Sequence, residues 1–328
     1  MGIRTRCVGI VAGAIGSVLS CMPWLAHAQD YPTRPIRLVV AYPPGGGSDT
    51  LARIVAPRLT ELTGQQVVVD NRAGAAGNIA TEIAAKAQPD GYTLLWGFST
   101  PLVVNPSLYK SLPFDTERDF APILLLGSAQ FVLVVHRSVA VSSVPELIAV
   151  LKAKPGQIAY SSAGIGSPNH LAAELFKLRA NVDALHVPYK GGGPAALAVL
   201  SGEVKILFGS FASSLPHVRA GTLRALAVSG PKRSAEVPEL PTLQEVGFPG
   251  FDVQAWYGVL APARTPKAIV TRLNHDLRQI LAQPAVVEGL KREGLEPSGT
   301  TPEEFAAYIR AEKALWAKVI RNAGIKPE

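Results

Sequence analysis

Five turns rich in glycine or small polar residues could do chemistry in this chain, and each follows an apolar run and precedes a helix start. The first is Tyr42-Pro43-Pro44-Gly45-Gly46-Gly47-Ser48-Asp49-Thr50, after the run Ile36-Arg37-Leu38-Val39-Val40. Three consecutive glycines admit positive φ angles and bring peptide N–H groups close to a bound group. Ser48 and Asp49 are helix-capping types, and the helix they open carries Leu51, Ile54, Val55 and Leu59 at three- and four-residue spacing. The first N–H groups of that helix lack intrahelical partners, and its dipole adds positive potential at the same end, so an anion is favoured there. A plain strand-to-helix turn, with Asp49 capping amides, fits the same residues. Recurrence tips the balance. Similar turns lie at residues 71–78, ending on Asn78, and at Gly97-Phe98-Ser99-Thr100. Two more lie at residues 161–170, with Ser162, Gly166, Ser167 and His170, and at residues 188–194, with Tyr189 and Lys190.

Parallel strands point their carboxyl ends one way, so such turns gather at one mouth of a sheet, where ligands of open α/β sheets bind. The glycines miss the nucleotide motifs. Gly164-Ile165-Gly166 has Asn169 where a dinucleotide fingerprint needs its third glycine, and no phosphate-loop pattern with Gly-Lys-Ser/Thr occurs. A serine elbow is also missing, since Gly97-Phe98-Ser99-Thr100-Pro101 fails at its last residue. Ser162 or Ser167 with His170, and Asp49 approaching from another turn, leaves a secreted hydrolase as an alternative. His170, just inside a helix start, is more simply a donor facing a ligand or a neighbour of the cap. Tyr42 and Tyr189 suit cleft walls or buried strand ends, and Lys190 an anion contact or a solvated position. His136, His186, His217 and His275 show no paired metal spacing and read as surface or core-edge residues. No metal, cofactor or catalytic residue is expected.

The first 28 of the 328 residues read as a secretion signal: Arg4 and Arg6, an apolar run from Cys7 to Leu25, and the small-x-small site Ala26-His27-Ala28. Val18-Leu19-Ser20-Cys21 loosely matches a lipoprotein box, so a lipid on Cys21 is a minor alternative to periplasmic release. Cleavage after Ala28 leaves 300 residues without a thiol and, lacking Arg4 and Arg6, a formal charge of +5 in place of +7. That charge is scattered, which argues against nucleic acid and suits a small anion.

Alternating strand and helix patterns predict α/β layering with mostly parallel strands. The expected strands are 36–41, 66–69, 93–96, 123–126, 131–135, 158–160, 184–187, 205–208 and 223–228. Helices are expected to begin near Ser48, Asn78, Val144, Pro168, Gly193 and Ser213. Two stretches read as crossings between lobes: residues 121–135, two strand runs split by Gly127-Ser128-Ala129-Gln130, and residues 251–260, a strand bearing Trp256 and Tyr257. Helices over 265–283, 288–292 and 301–324 complete the chain.

With these turns the chain resembles the receptors of tripartite tricarboxylate transporters, the Bug-type extracytoplasmic solute receptors. The resemblance rests on AYPPGGGSDTLAR, VVVDNRAGAAGNIA, AKAQPDGYTLL, YSSAGIGSPNHLAAELF, VPYKGGGPAALAVLSGEV, LPHVRAGTLRALAV, WYGVLAPARTPKAIV and TPEEFAAYI in that order. It implies a two-lobed, type II-like periplasmic binding protein fold, with lobe 1 at residues 29–127 plus 253–328 and lobe 2 at residues 128–252. It also implies a monomeric periplasmic receptor that hands a small organic carboxylate to membrane permease subunits; a receptor for a sensor kinase is an alternative. The implied ligand contacts are Tyr42, Gly46, Gly47, Ser48, Asp49, Asn78, Ser99 and Thr100 from one lobe, and Ser162, Gly166, Ser167, His170 and Tyr189 from the other. Many relatives carry aspartate after the strand 204–208, where this chain has Gly209-Ser210. The departure favours an unsubstituted or aromatic carboxylate over an amino acid.

Overall fold

The computed structural model describes residues 1–2, 31–45 and 47–325. Residues 3–28 of the expected leader, with Cys7 and Cys21, and Gly46 lie outside the described residues. Residues Pro32–Glu328 form one compact unit, and the fold below is that unit.

The chain opens with β1 (Ile36–Val40), α1 (Gly47–Thr63), β2 (Val67–Asn71), α2 (Asn78–Ala85) and β3 (Thr93–Phe98). β1 lies between β2 and β3, parallel to both, and Ile36, Leu38, Val39 and Val40 are all buried. Burial on both faces explains why this strand reads as a continuous apolar run. A π-helical turn (Thr100–Val104) and a short α3 (Asn105–Leu108) then lead to β4 (Phe120–His136). The second part repeats the alternation: α4 (Val144–Ala153), β5 (Ala159–Ser162), α5 (Pro168–Ala180), β6 (Leu185–Pro188), α6 (Gly192–Leu200), β7 (Ile206–Ser210), α7 (Phe211–Arg219) and β8 (Leu223–Val228). The chain returns through β9 (Gln254–Pro262) to α8 (Lys267–Leu281), α9 (Pro284–Arg292), β10 (Glu296–Pro297) and α10 (Pro302–Asn322).

The strand order is β2-β1-β3-β9-β4-β7-β5-β6, with β8 and β10 also on β4. The first crossing therefore differs from the two runs expected: β4 is one strand of 17 residues. Its first part pairs with β9 and β10, and its last six residues pair with β7 and β8. Gly127 makes no turn. Its missing side chain admits the Glu296 backbone of β10, which a Cβ would strike.

Polar side chains tie the crossing strands together. Ser128 Oγ donates to Gln254 Oε1 at 2.8 Å, and the buried Ser229 hydroxyl accepts from the Phe131 amide and donates to the Val253 carbonyl. α7 begins at Phe211, two residues before expectation, because Ser210 Oγ caps it by accepting from the Ser213 amide. A capping box of Thr301 and Glu304 starts α10, as its sequence predicts.

α10 packs Phe305 edge-on against Trp256, centroids 5.5 Å apart, and Trp316 Nε1 donates to Glu312 Oε2 at 2.9 Å. Burial pushes the Glu312 carboxyl up to about 6, and the nearby Asp252 charge adds to the rise. A carboxyl raised on folding stabilises the fold below its ordinary value near 4.5, and loses that contribution as pH rises through 6. Glu312→Gln is therefore expected to stabilise the protein at pH 7.5 by roughly 1–2 kcal/mol and to give no gain at pH 4.5. Urea unfolding at the two pH values measures the difference.

Candidate functional site

β1 and β3 end side by side, so the turns after them are neighbours. Ser48 and Asp49 lie in the first turn of α1, 6 % and 3 % exposed, and Ser99 and Thr100 follow β3, 2 % and 4 % exposed. Ser48 Oγ and Ser99 Oγ are buried without a hydrogen-bond partner. Asp49 is fully engaged: its carboxylate accepts from the Gly45 amide at 2.9 Å, Arg53 Nε at 2.9 Å and Asn71 Nδ2 at 3.0 Å. Asn71 also donates to the Tyr42 carbonyl at 2.9 Å. Asp49 thus braces residues 42–45, and the capping reading of this carboxylate accounts for its contacts. Gly47 opens α1 and is exposed, and Gly46 lies outside the described residues.

The turn before α2 joins the same region. Asn105 Nδ2 donates to Asn78 Oδ1 at 2.7 Å and to the Ala76 carbonyl at 3.3 Å, while its own Oδ1 is buried and unpartnered. Tyr42, Phe98 and Tyr257 form a half-buried aromatic group, with Phe98 5.2 Å from Tyr42 and 5.0 Å from Tyr257. Burial pushes both phenols up, so they remain neutral donors. Asn105, Phe98 and Tyr257 were not singled out as site residues by sequence. Asn105 follows an irregular π-helical turn with no periodicity to mark it, Phe98 stands in the turn Gly97-Phe98-Ser99-Thr100 without polar chemistry of its own, and Tyr257 reads as a strand residue.

The turns of the second half are knitted together by backbone: the Tyr189 amide donates to the Ser162 carbonyl at 3.0 Å, and the Gly191 amide to the Ala163 carbonyl at 3.2 Å. Gly166, at φ +75°, lies against the first half, where a Cβ would strike Leu108 Cδ1. Turns from both halves therefore meet at α3. The Tyr189 hydroxyl donates outward to Glu203 Oε1 at 3.1 Å, and its ring packs with the cluster of Val132, Ala195 and Val199. Ser167 Oγ donates to Asn169 Oδ1 at 2.7 Å.

The histidine that reaches Ser162 is His186, with Nε2 2.6 Å from Ser162 Oγ. His170 Nδ1 instead accepts the Gly166 amide at 3.1 Å. The hydrolase arrangement of Ser162 or Ser167 with His170 is therefore not formed, and Asp49 is held in its own turn. Burial lowers His186 to about 4 and His170 to about 3, with the Lys177 charge acting the same way on both. Rings that weak are poor general bases at neutral pH. Among the described residues, no group of three or more His, Cys, Asp or Glu side chains could hold a metal ion.

Residues 51–325 match the family described as the tripartite tricarboxylate transporter family receptor. The chain belongs to that family. It is similar to BugT of Bordetella pertussis, 39 % identical over 323 residues that cover 98 % of each chain. Among solved structures it resembles R. palustris Rpa4515 with adipate, at 38 % identity and a TM-score of 0.82, over 91 % of this chain and all of that one. It also resembles MatC from Rhodopseudomonas palustris with bound malate, at 30 % identity and a TM-score of 0.77, over 88 % of this chain and all of that one. The α/β architecture built on β4 and β9 is that of these periplasmic solute-binding proteins, as the sequence resemblance implied.

Asp49 gives this site a measurable signature. Its hydrogen bond from Arg53 and the further bonds from Gly45 and Asn71 lower its carboxyl to about 2 from 3.8. A carboxyl depressed on folding stabilises the fold above its ordinary value, and the contribution is lost as pH falls from about 4 to 2. Arg53 is exposed and screened, so Asp49→Asn should cost only roughly 1–2 kcal/mol at pH 7. Chemical denaturation should show that difference shrinking below pH 4.

Proposed function

We propose that this receptor captures a small organic carboxylate between two lobes, residues 29–127 with 253–328 and residues 128–252, in the periplasm. It then presents the ligand, chemically unchanged, to the membrane permease subunits of a tripartite transporter, and it works as a monomer. The observation that carries this reading is the pair of buried, unpartnered hydroxyls, Ser48 Oγ in the first turn of α1 and Ser99 Oγ just after β3, in the turns that follow the adjacent strands β1 and β3. A buried hydroxyl without a partner costs roughly 1–3 kcal/mol. A carboxylate oxygen accepting from both removes that cost, and it meets the N-terminal end of the 17-residue α1. Tyr42 and Thr100 supply further neutral donors beside it, and Asn78, Ser162 and Ser167 border it in the proposed cleft. The adipate and malate of the two structural neighbours support a carboxylate as ligand.

Gly209 supports a ligand without an amino group. It is buried at the end of β7, where a Cβ would strike the hydroxyl of Ser214. With Gly209 followed by Ser210, the end of β7 carries no carboxylate to neutralise an ammonium. A hydrolytic role is disfavoured because His186, the ring on Ser162, is half-buried in a stack with His170 and is too weak a base.

Calorimetry on protein stripped of ligand tests the proposal with adipate, malate, benzoate, citrate, glutamate and aspartate. At least one carboxylate lacking an amino group should bind near micromolar affinity, about 8 kcal/mol. Ser48→Ala and Ser99→Ala should each weaken it by about tenfold or more, since each removes a hydrogen bond to a charged group. No binding to a folded, stripped sample, or preferential binding of the amino acids, would contradict the reading.

A further inference from the structure

The turn of residues 162–167 is held by backbone bonds from Tyr189 to Ser162 and from Gly191 to Ala163, by the Asn169 side chain, and by contacts to two imidazoles. Ser162 Oγ meets His186 Nε2 at 2.6 Å, and the same oxygen accepts from the Gly164 amide at 3.1 Å. At the far end, the Gly166 amide donates to His170 Nδ1 at 3.1 Å. Gly164 and Gly166 both have positive φ, +126° and +75°, so the turn between these contacts is built of left-handed steps. Ordinary side chains rarely adopt these, and glycine itself has little intrinsic preference for them. External bonds must select the shape.

The two rings also touch one another. His170 and His186 stack with centroids 4.1 Å apart and an interplanar angle of 24°, and Tyr160 stacks on His186 at 4.8 Å. The two rings come from different elements, His186 from β6 and His170 from α5, so the stack joins a strand to the helix that follows the turn. Tyr160 in turn donates its hydroxyl to Glu174, whose carboxylate is paired with Lys177 at 2.9 Å. The charged and titratable groups facing the pair are Tyr160 on β5 and Glu174 and Lys177 on α5, with Asp183 3.9 Å from Lys177. A nitrogen that accepts an N–H belongs to a neutral ring, so His170 carries its proton on Nε2.

We propose that His186 and His170 are positioning residues for ligand capture: a neutral, stacked imidazole pair fixes the Ser162–Ser167 turn in the shape that meets the carboxylate and α3. The role rests on the receptor reading above. Neither ring need touch the ligand. Removing either imidazole takes away one side-chain contact that the turn has beyond its backbone bonds, and protonating His170 removes its acceptor for the Gly166 amide.

Amide hydrogen exchange on the ligand-free, isotope-labelled protein tests this without a ligand, so the outcome is separate from that of carboxylate binding. His170→Phe and His186→Phe keep an aromatic ring in the stack and remove one contact each. His170→Asn restores an acceptor toward Gly166, and His186→Gln restores a polar partner for Ser162. The Phe variants should lose protection at the Gly164 and Gly166 amides by tenfold or more while the β4 amides keep theirs, and the Asn and Gln variants should regain it. In the wild type, protection of the turn should hold from pH 7 to 5 and fall below about pH 4, ahead of β4, where the buried rings take up protons. Binding of adipate or malate, whichever the wild type binds, should weaken about tenfold in His186→Phe and recover in His186→Gln. Unchanged turn protection in both Phe variants would overturn the proposal. So would loss of turn and β4 protection together on acidification of the wild type, because the rings would then serve the core and not the turn.

Discussion

Everything in this fold depends on a strand that belongs to two sheet halves at once. β4 meets β9 and β10 over its first part and β7 and β8 over its last, and its backbone groups are satisfied only if both halves hold their register against it. The polar bonds at the crossing, Ser128 to Gln254 and Ser229 to both β4 and Val253, fix that register with side chains where the ladder changes partners. One strand thereby sets where the turns of each half stand. It brings Gly166 against Leu108, and with it the second half's turn against the element that also carries Asn105.

Around that meeting point, the chain holds its turns largely with neutral groups and pairs its buried carboxylates. Asp49 is consumed by Gly45, Arg53 and Asn71, Glu174 by Tyr160 and Lys177, and the stacked imidazoles of His170 and His186 remain uncharged at neutral pH. In the proposed site, the groups offered to a ligand are hydroxyls, amides and phenols. Such donors favour an anion without the desolvation penalty of a buried cation. Each contributes little alone, so affinity requires several turns to engage together.

Most of the fold was legible because buried parallel strands leave a strong signal. The apolar run at β1 and the turns between strand and helix lie where the sequence puts them, to within a residue or two. The failures have local causes. Gly127-Ser128-Ala129-Gln130 has the composition of a turn, yet Gly127 is there to let β10 approach, a reason that lies 169 residues further along the chain. The π-helical turn and α3 are too short and too interrupted by Pro101 and Pro106 to show a period. At the site, the adjacency of β1 and β3, which makes the turns after them neighbours, was readable from the strand pattern. The partner of Ser162 was not, because His186 comes from a neighbouring strand 24 residues away and nothing local marks its role.

The most direct test is a crystal structure of the protein with a saturating carboxylate ligand. The account predicts one carboxylate group with an oxygen about 3 Å from both Ser48 Oγ and Ser99 Oγ, no lysine or arginine side chain bonded to that carboxylate group, and the Ser162–Ser167 turn closing over the ligand's other end. A carboxylate held by a basic side chain, or bound away from the ends of β1 and β3 with both hydroxyls still unpartnered, would contradict it.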